Sequence, residues 1–327
     1  MIFKCKNCGG NMVYSPEQGK MFCPHCDSVD SDERNDGNGA AECVNCGAEL
    51  TVGQYNSTCK CEYCSSYYIL NDRVSGEYRP DFAIPFKLGK KSVVELMNKE
   101  FASRIFTPDS FLSEASLEGM KGMYVPFWMY DYLAKCDYAG TGTKVRVWTS
   151  GDTEYTETSY YRVERNMDID FDKIPVDASK EMKDEVMDLM EPYNYEELAP
   201  FEEKYMSGFF GEIYNDSADA LEERAKVKVE EDVEKLLRNT LSGYSTLTPD
   251  RKDIKENRNG VHFSLLPVWH YLYKYQEKDY DFYINGQNGK IVGSTPVSKK
   301  KVLAYGGTVF AATWMALSLI LGIIGII

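Results

Sequence analysis

Cys5-Lys6-Asn7-Cys8 and Cys23-Pro24-His25-Cys26 recur 38 positions later as Cys43-Val44-Asn45-Cys46 and Cys61-Glu62-Tyr63-Cys64. In both copies 14 residues separate the two Cys-x-x-Cys pairs. Each pair can present two thiolates to one tetrahedral metal, and two pairs at about this separation complete a four-sulfur zinc site. Redox dithiols and an iron–sulfur centre are the alternatives, but neither explains four pairs in two matched sets. The repeat therefore predicts two zinc ions, one held by Cys5, Cys8, Cys23 and Cys26 and the other by Cys43, Cys46, Cys61 and Cys64.

These zinc sites are expected to be structural. Four sulfurs fill the coordination shell and leave no position for water or a substrate. Gly9 and Gly47 follow the first pair of each copy, where glycine allows the left-handed backbone of a zinc knuckle. His25 lies inside a pair, but Tyr63 takes its place in the second copy, so we expect an exposed residue and no ligand. Cys136 and Cys59 fall outside the repeat and are expected to be ordinary small residues.

The rest of the chain divides by composition into segments. The sequence predicts a multidomain protein: two tandem small zinc ribbons (residues 1–28 and 42–70), an α+β body with antiparallel strands (80–298) and a single C-terminal transmembrane helix (302–327). Residues 29–41 are acidic and contain glycine, with almost nothing apolar to bury, so they are predicted to be a flexible linker between the ribbons. Each ribbon is too small to hold a core without metal.

Two features of the body carry most of its structural prediction. Apolar residues repeat every four positions from about Ala218 to Leu241, which predicts an amphipathic helix. Pro126-Phe127-Trp128-Met129-Tyr130 resembles Pro267-Val268-Trp269-His270-Tyr271, and each would begin an aromatic strand after a proline. An internal duplication of the body is one interpretation of this similarity. A hairpin is predicted to close the body, with its turn at 285–289.

The charge of the chain argues against nucleic acid as the main partner. Acidic residues number 51 and basic residues 37, which gives a formal net charge of −14. Residues 1–70 contain five basic and nine acidic side chains, a net charge of −4. Phosphate backbones attract basic surfaces, so the ribbons lack the expected footprint. No secretory signal opens the sequence, and paired thiols without one indicate metal ligands in a reducing compartment.

The C-terminal segment predicts a membrane anchor. Residues 302–327 contain no charged side chain and would extend about 39 Å as a helix, against a hydrocarbon core of roughly 30 Å. Lys299, Lys300 and Lys301 precede the segment, so that end is expected to face the cytoplasm. A buried soluble helix is the alternative, but it would need protein on every side. We therefore expect a single-pass protein of the cell membrane with most of the chain in the cytoplasm.

A stripe of small side chains runs along this predicted helix. Ala304, Thr308, Ala312 and Ala316 recur every four residues. Membrane helices associate where small residues let their backbones approach closely. The stripe predicts contact with a second transmembrane protein or with a second copy of the chain, although such residues are also simply tolerated in lipid.

No pattern of residues indicates catalysis. The three histidines, His25, His262 and His270, stand in no nucleophile or metal-ligand motif, and no glycine-rich phosphate loop is present. Carboxylates are dense around 168–205, and a pair of them could perform acid–base chemistry. A solvated acidic face is the simpler interpretation. The sequence therefore predicts a protein that is not an enzyme.

Taken together, the motifs resemble a known family. The chain is similar to bacterial zinc-ribbon proteins labelled TFIIB-type or primosomal helicase-like, and most of all to YdjG-type members linked to PspA envelope-stress operons. The resemblance implies a membrane protein that anchors a cytosolic SPFH/virion-core-like protein and, through it, PspA. It rests on the paired Cys-x-x-Cys ribbons and on Ile84-Pro85-Phe86, Tyr124-Val125-Pro126-Phe127-Trp128, Val176-Asp177-Ala178-Ser179, Glu191-Pro192, Tyr205-Met206-Ser207-Gly208-Phe209 and Asn285-Gly286-Gln287-Asn288-Gly289-Lys290.

Three classes of function follow from these observations. The first is an anchored adaptor, in which ribbons and body dock cytosolic partners at the membrane. The second is a membrane-tethered regulator that binds nucleic acid through its ribbons. The third is an enzyme or sensor with a ligand cleft lined by the many tyrosines, although such strands more often form cores and interfaces. The charge and the resemblance favour the adaptor.

Overall fold

Two zinc-ribbon units form the N-terminal part of the computed structural model, which describes residues 1–36, 42–113 and 117–324, with side chains to 320. In the first ribbon β1 pairs with β4 and β2 with β3, and in the second β5 pairs with β6, all antiparallel. The strands are β1 (Ile2–Cys5), β2 (Val13–Ser15), β3 (Lys20–Phe22), β4 (Asp32–Asn35), β5 (Thr58–Lys60) and β6 (Tyr67–Ile69).

The prediction of a flexible linker over 29–41 is wrong for its first part. Val29 bridges to Phe22, and β4 pairs along β1 from Ile2–Asn35 to Cys5–Asp32. These residues therefore belong to the first ribbon, because β1 offers a free edge that even a polar strand can satisfy with backbone hydrogen bonds. Residues 37–41 lie outside the described part of the chain.

The ribbons are not separate from the body as the sequence analysis expected. Met1, Phe3, Met12 and Met21 of the ribbons share one buried cluster with side chains of the body. Backbone bonds cross the junction from Tyr14 to Ser207 and from Ser57 to Gly211, at 2.9 and 2.8 Å. Small ribbons have little core of their own, so contact with the body buries apolar surface they could not bury alone.

The body is built on one mixed sheet with helices packed against it. Its strands are β7 (Phe82–Ala83), β8 (Lys121–Ser150), β9 (Thr153–Asp177), β10 (Ala199–Pro200), β11 (Phe210–Gly211), β12 (Thr246–Tyr275), β13 (Lys278–Asn285) and β14 (Ile291–Gly293). The body helices are α1 (Lys90–Phe101), α2 (Asp184–Met190) and α3 (Ala218–Thr240). Single 3-10 turns occur at Asn71–Arg73, Gly76–Tyr78, Tyr195–Glu197 and Glu203–Met206. The long strands pair antiparallel as predicted, whereas β7 beside β12 and β11 beside β8 are parallel.

The strand pairing gives the body an approximate internal two-fold symmetry. β8 and β12 run antiparallel side by side, and Val125 lies opposite Leu266 at the centre of the arrangement. Each long strand is preceded by a helix and followed by a hairpin partner, β9 or β13. Each also has a short parallel neighbour from the other half: β7 beside β12 and β11 beside β8. The two Pro-x-Trp motifs occupy equivalent places, so the body consists of two β-α-β-β units.

Three strands of the body are far longer than usual. β8 and β12 have 30 residues each and β9 has 25, whereas strands in globular proteins usually have 3–10. At about 3.3 Å per residue a 30-residue strand extends roughly 100 Å, well beyond a compact core. We call the projecting part, residues 131–173 of β8 and β9 and residues 246–260 of β12, the arm. A turn at Gly151-Asp152, with φ +64° at Gly151, closes its far end.

Helix α3 covers one face of the arm. The Ser217 side chain caps it by accepting from the Ala220 N–H at 3.3 Å. Ala225, Val229, Val233 and Leu237 are buried against the sheet, which confirms the predicted helix and its stripe. The helix ends at Thr240, so within the described residues the tip of the arm beyond Gly142 has no helix on it.

The C-terminal helix stands apart from this core. α4 (Lys299–Ile324) has 26 residues, and Lys299–Ile320 has a mean hydropathy of 1.5 with none of its most apolar window buried. Large side chains such as Leu303 (77% exposed) and Phe310 lie open. α4 is therefore long and apolar enough to span a bilayer.

Candidate zinc centres

The first predicted site brings four sulfurs together at the end of ribbon one. The Sγ atoms of Cys5 and Cys26 lie 3.7 Å apart, and those of Cys8 and Cys23 lie 3.5 Å apart. All four ligand atoms lie within 4.8 Å of one another. A tetrahedral zinc with Zn–S bonds of about 2.3 Å needs sulfurs about 3.8 Å apart. The spacing of the sulfurs therefore matches a single Zn²⁺ without rearrangement of the chain.

The second site repeats this geometry. Cys43 and Cys64 have their Sγ atoms 3.6 Å apart, and so do Cys46 and Cys61. One ligand of each pair is buried and its partner lies nearer the surface, as in the first site. The prediction of two four-sulfur groups is confirmed, and two structural Zn²⁺ ions fit them.

The backbone of each knuckle is shaped to present its sulfurs. The residue after each second cysteine donates its N–H to the carbonyl of the first, from Gly9, Asp27, Gly47 and Ser65, at 2.8–2.9 Å. All four residues have φ between 58° and 73°. Glycine accepts this left-handed backbone freely and aspartate tolerates it, so the positive φ at Ser65 is the most strained.

Serine hydroxyls support the sulfurs from outside the coordination shell. Ser28 lies 3.0 Å from the Sγ of Cys26, and Ser66 lies 3.1 Å from that of Cys64. Ser31 lies 3.4 Å from the Sγ of Cys5. A hydroxyl donated to a thiolate stabilises the charged ligand form and holds the side chain in place.

The remaining cysteines and His25 lie outside both four-sulfur groups. His25 is exposed and rests its ring against Gly10. Cys59 is buried beside the second ribbon, and burial raises the pKa of its thiol to about 11. Burial also raises the pKa of Cys136, which lies under α3. Both therefore remain protonated thiols in the core, as expected for residues that bind no metal.

The body histidines make local contacts. His270 lies 2.9 Å from the Asp281 carboxylate and stacks on Tyr283, both on the neighbouring strand. His262 lies 3.6 Å from Asp131 and 3.9 Å from Asp81 at the surface. Each contact joins side chains of adjacent elements, which fits a positioning role in the sheet.

The acidic segment near 168 turns out to be one edge of the arm. Asp168, Asp170 and Asp172 are exposed, while Ile169 and Phe171 between them pack against the cluster under α3. The carboxylates therefore form a solvated face. The alternation arises because successive residues of β9 point to opposite sides of the sheet.

Sequence reasoning missed Glu212, a carboxyl group buried between the second ribbon and the body. It is 7% exposed and accepts a hydrogen bond of 2.6 Å from the Ser179 hydroxyl. Burial raises its pKa to about 7. A short polar segment between Gly211 and Ile213 gave no sign of burial, which depends on the ribbon docking there through Asn56.

This burial predicts a pH-dependent contribution of Glu212 to stability. The folded state favours the protonated acid, so its contribution is complete below about pH 4.5 and is lost as the pH rises through about 7. The full difference is about 3 kcal/mol. We therefore expect Glu212→Gln to stabilise the chain by up to about that amount at pH 8 and to change stability little at pH 4.5.

Thermal unfolding of the variant and the wild type at each pH measures this difference, and the comparison cancels the pH dependence of the zinc sites. The exposed Glu185→Gln is the matched control and should shift neither value. Equal effects of Glu212→Gln at pH 4.5 and pH 8 would contradict the assignment.

Comparison with known proteins agrees with the geometry. A family profile described as a zinc ribbon domain matches residues 2–30, which contain the first site. The uncharacterized protein YdjG of Bacillus subtilis is 35% identical over 331 residues, a match that covers 97% of this chain and 96% of YdjG. No solved structure matches the chain.

Proposed function

The chain belongs to the family of Bacillus subtilis YdjG, and from this premise we propose that it is a membrane-anchored zinc-ribbon adaptor that holds a cytosolic protein at the membrane. The zinc ions act by folding the ribbons onto the body, since their coordination is complete. The role is one of binding and not of catalysis. The arm supplies the docking surface, and α4 supplies the anchor.

The observation that carries this proposal is the contrast between the two edges of the arm. The edge on β12 is protected by Pro249, by a register shift after it, and by Lys252 and Lys255. Proline, bulges and lysine are the usual means by which proteins prevent strands from adding to a sheet. The edge on β9 has none of these from Thr153 to Tyr161, and within the described residues β9 pairs only with β8.

The tip of the arm adds an aromatic surface to this open edge. Tyr160 is 72% exposed, and Trp148 and Tyr155 stack across the hairpin with centroids 5.6 Å apart. Val145 and Val147 are also exposed there. Exposed aromatics beside a free edge suit an extended protein segment, which gains backbone hydrogen bonds and side-chain packing together.

α4 and the lysines before it support the membrane location. The helix exposes apolar side chains on all of its described faces, which water would disfavour and lipid would accept. Lys299 and Lys300 are exposed at its first turn. Lysines at this end favour a cytoplasmic body. The resemblance to the YdjG-type family then points to an SPFH/virion-core-like protein, and through it PspA, as the cytosolic partner.

Binding by the full chain in lipid nanodiscs tests this function. The probes are a purified SPFH/virion-core-like protein and purified PspA, each titrated separately. Adding lysines to the open edge with Thr156→Lys and Thr158→Lys should weaken binding at least about tenfold, because several backbone hydrogen bonds of roughly 1 kcal/mol each are lost. Asn257→Lys and Asn259→Lys on the protected edge are the matched control and should leave affinity unchanged. Equal affinity for both pairs of variants would contradict docking at the β9 edge.

Nucleic-acid binding is the second candidate, because zinc ribbons serve that role in other proteins. Two observations disfavour it here. The ribbons carry a net charge of −4 over residues 1–70, and part of their surface is used for packing against the body. Phosphate recognition requires a basic face, and that charge would repel a phosphate backbone.

The small-residue stripe remains a prediction for a second contact within the membrane. Ala304, Thr308, Ala312 and Ala316 are all exposed along α4. Ala312→Leu with Ala316→Leu should reduce association with another membrane helix while preserving hydrophobicity. Crosslinking in membranes measures the effect, and Leu317→Ile with Leu319→Ile is the control of similar bulk. Unchanged association would mean that the stripe has no role.

A further inference from the structure

The junction between the body and α4 is rigidly connected. The Ser298 N–H donates to the Phe106 carbonyl at 2.8 Å, just before the helix begins. The Phe106 ring packs edge-on against Tyr305, with centroids 5.5 Å apart. Lys301 forms an ion pair with Asp109 at 2.5 Å. The loop that follows α1 therefore lies against the first two turns of α4.

These contacts determine the height of the loop relative to a bilayer. Tyr305 lies six residues into α4, about 9 Å from its start. The headgroup region on each side of the hydrocarbon is only about 5–8 Å thick. If α4 spans the membrane, the residues around Phe106 cannot lie far above the lipid, because their neighbour Tyr305 already belongs to the apolar segment.

The side chains on this face suit such a location. Ile105 is 56% exposed and Val297 is 57% exposed, each next in sequence to a residue that contacts α4 or its first turn. Single exposed aliphatic residues are common on soluble proteins, and position is what distinguishes these two. Both are on segments held against the start of the membrane helix.

The charges of the same face are mainly positive. Arg104, Lys299 and Lys300 are exposed there, and Lys301 is paired with Asp109. Glu100 adds a second acidic group, 3.3 Å from Arg104. Basic side chains beside a membrane segment attract the anionic lipids of the cytoplasmic leaflet.

We propose that residues 103–106 and Val297 form a foot that inserts into the headgroup region of an anionic leaflet, with Ile105 and Val297 toward the acyl chains and Arg104, Lys299 and Lys300 at the phosphates. The inference rests on the proposed insertion of α4. It goes further by giving the body a fixed orientation on the lipid surface instead of a free tether.

The foot also sets the direction of the arm. Ser110, close to the foot, shares a hydrogen bond of 2.7 Å with the Tyr273 hydroxyl near the end of β12. β12 runs from the arm at Thr246 to this point, a distance of roughly 90 Å along the strand. A body seated on its foot therefore holds the arm tip away from the membrane, in the cytosol.

Site-specific photocrosslinking of the full chain tests the foot. The photoreactive residue p-benzoylphenylalanine replaces Ile105 in one variant, Leu303 in a second and Leu189 in a third. Leu189 is 58% exposed on α2 and is the matched control for an exposed apolar residue of the body. Each variant is placed in nanodiscs of phosphatidylglycerol and phosphatidylethanolamine, and lipid adducts are measured by mass spectrometry. Two zinc ions per chain serve as the check of folding.

We expect lipid adducts from positions 105 and 303 and none from position 189. Adducts at 303 but none at 105 would overturn the foot and leave the anchor intact. Adducts at none of the three positions would overturn the anchor, and with it both proposals. Equal adducts at 105 and 189 would show non-specific contact of the body with lipid and would also overturn the foot.

Discussion

Replacing Cys23 by Ser is expected to remove one of two zinc ions and to destabilise far more than the first ribbon. Cys23 is fully buried and belongs to the same cluster as Phe86 and Tyr124 of the body. Structural zinc contributes roughly 10–16 kcal/mol to the folding of zinc-finger peptides, comparable with the whole stability of a typical domain. Loss of this metal should therefore unfold the ribbon and expose part of the body core.

Metal analysis and thermal unfolding of the detergent-solubilised chain measure the effect. Zinc content should fall from two ions per chain to one in Cys23→Ser. Cys59→Ala is the matched control, because Cys59 is a buried cysteine in a ribbon but not a ligand, and it should retain both ions. Wild-type protein without zinc, an iron signal with visible absorbance, or loss of zinc in the control would contradict the assignment.

Deleting residues 302–327 is expected to release the chain from the membrane completely. Transfer of each central Leu, Ile or Phe of such a helix into a bilayer contributes about 0.3–0.6 kcal/mol, and the deletion removes all of them together. The remaining foot is small and depends on α4 for its position. We therefore expect the truncated chain in the soluble fraction, where the full chain sediments.

Fractionation after a high-salt wash measures this release. Lys299→Gln with Lys300→Gln is the control: it removes charge but keeps every apolar residue of α4, so the chain should still sediment. Persistent sedimentation of the truncated chain would show a second anchor outside α4.

The zinc sites and α3 could be predicted because their signals are local. Ligand spacing defines a metal site directly, and a stripe repeated every four residues defines a helix face. The same reasoning placed the last turn correctly: the Asn285 side chain accepts from the N–H groups of Gln287 and Asn288, and β14 follows. In each case the residues that form the structure lie close together in the sequence.

The arm could not be predicted because its strands lack the usual composition. Much of β12 reads as a charged segment, and Asp, Asn and Lys are disfavoured in strands. Its pairing partner on β8 lies more than a hundred positions earlier in the chain, from Thr143–Thr246 onward. One local signal was present in the alternation of Met167, Ile169 and Phe171 with aspartates, which has the period of a half-buried strand.

The linker and the ribbon docking were misjudged for a related reason. Asp32–Asn35 is polar and would remain unstructured alone, but the free edge of β1 pairs with it. The burial of Met12 and Met21 depends on the body surface they meet. Both features arise from tertiary contacts, which composition along the sequence does not reveal.

Photocrosslinking from the arm tip in living cells tests the adaptor function most directly. p-Benzoylphenylalanine replaces Tyr160 at the open edge in one strain and Tyr63, an exposed tyrosine of the second ribbon, in another. The account predicts that position 160 yields a specific adduct with a cytosolic protein in the membrane fraction, that position 63 does not, and that Thr156→Lys with Thr158→Lys abolishes the adduct. Protein or nucleic-acid adducts from position 63 with none from position 160 would contradict it.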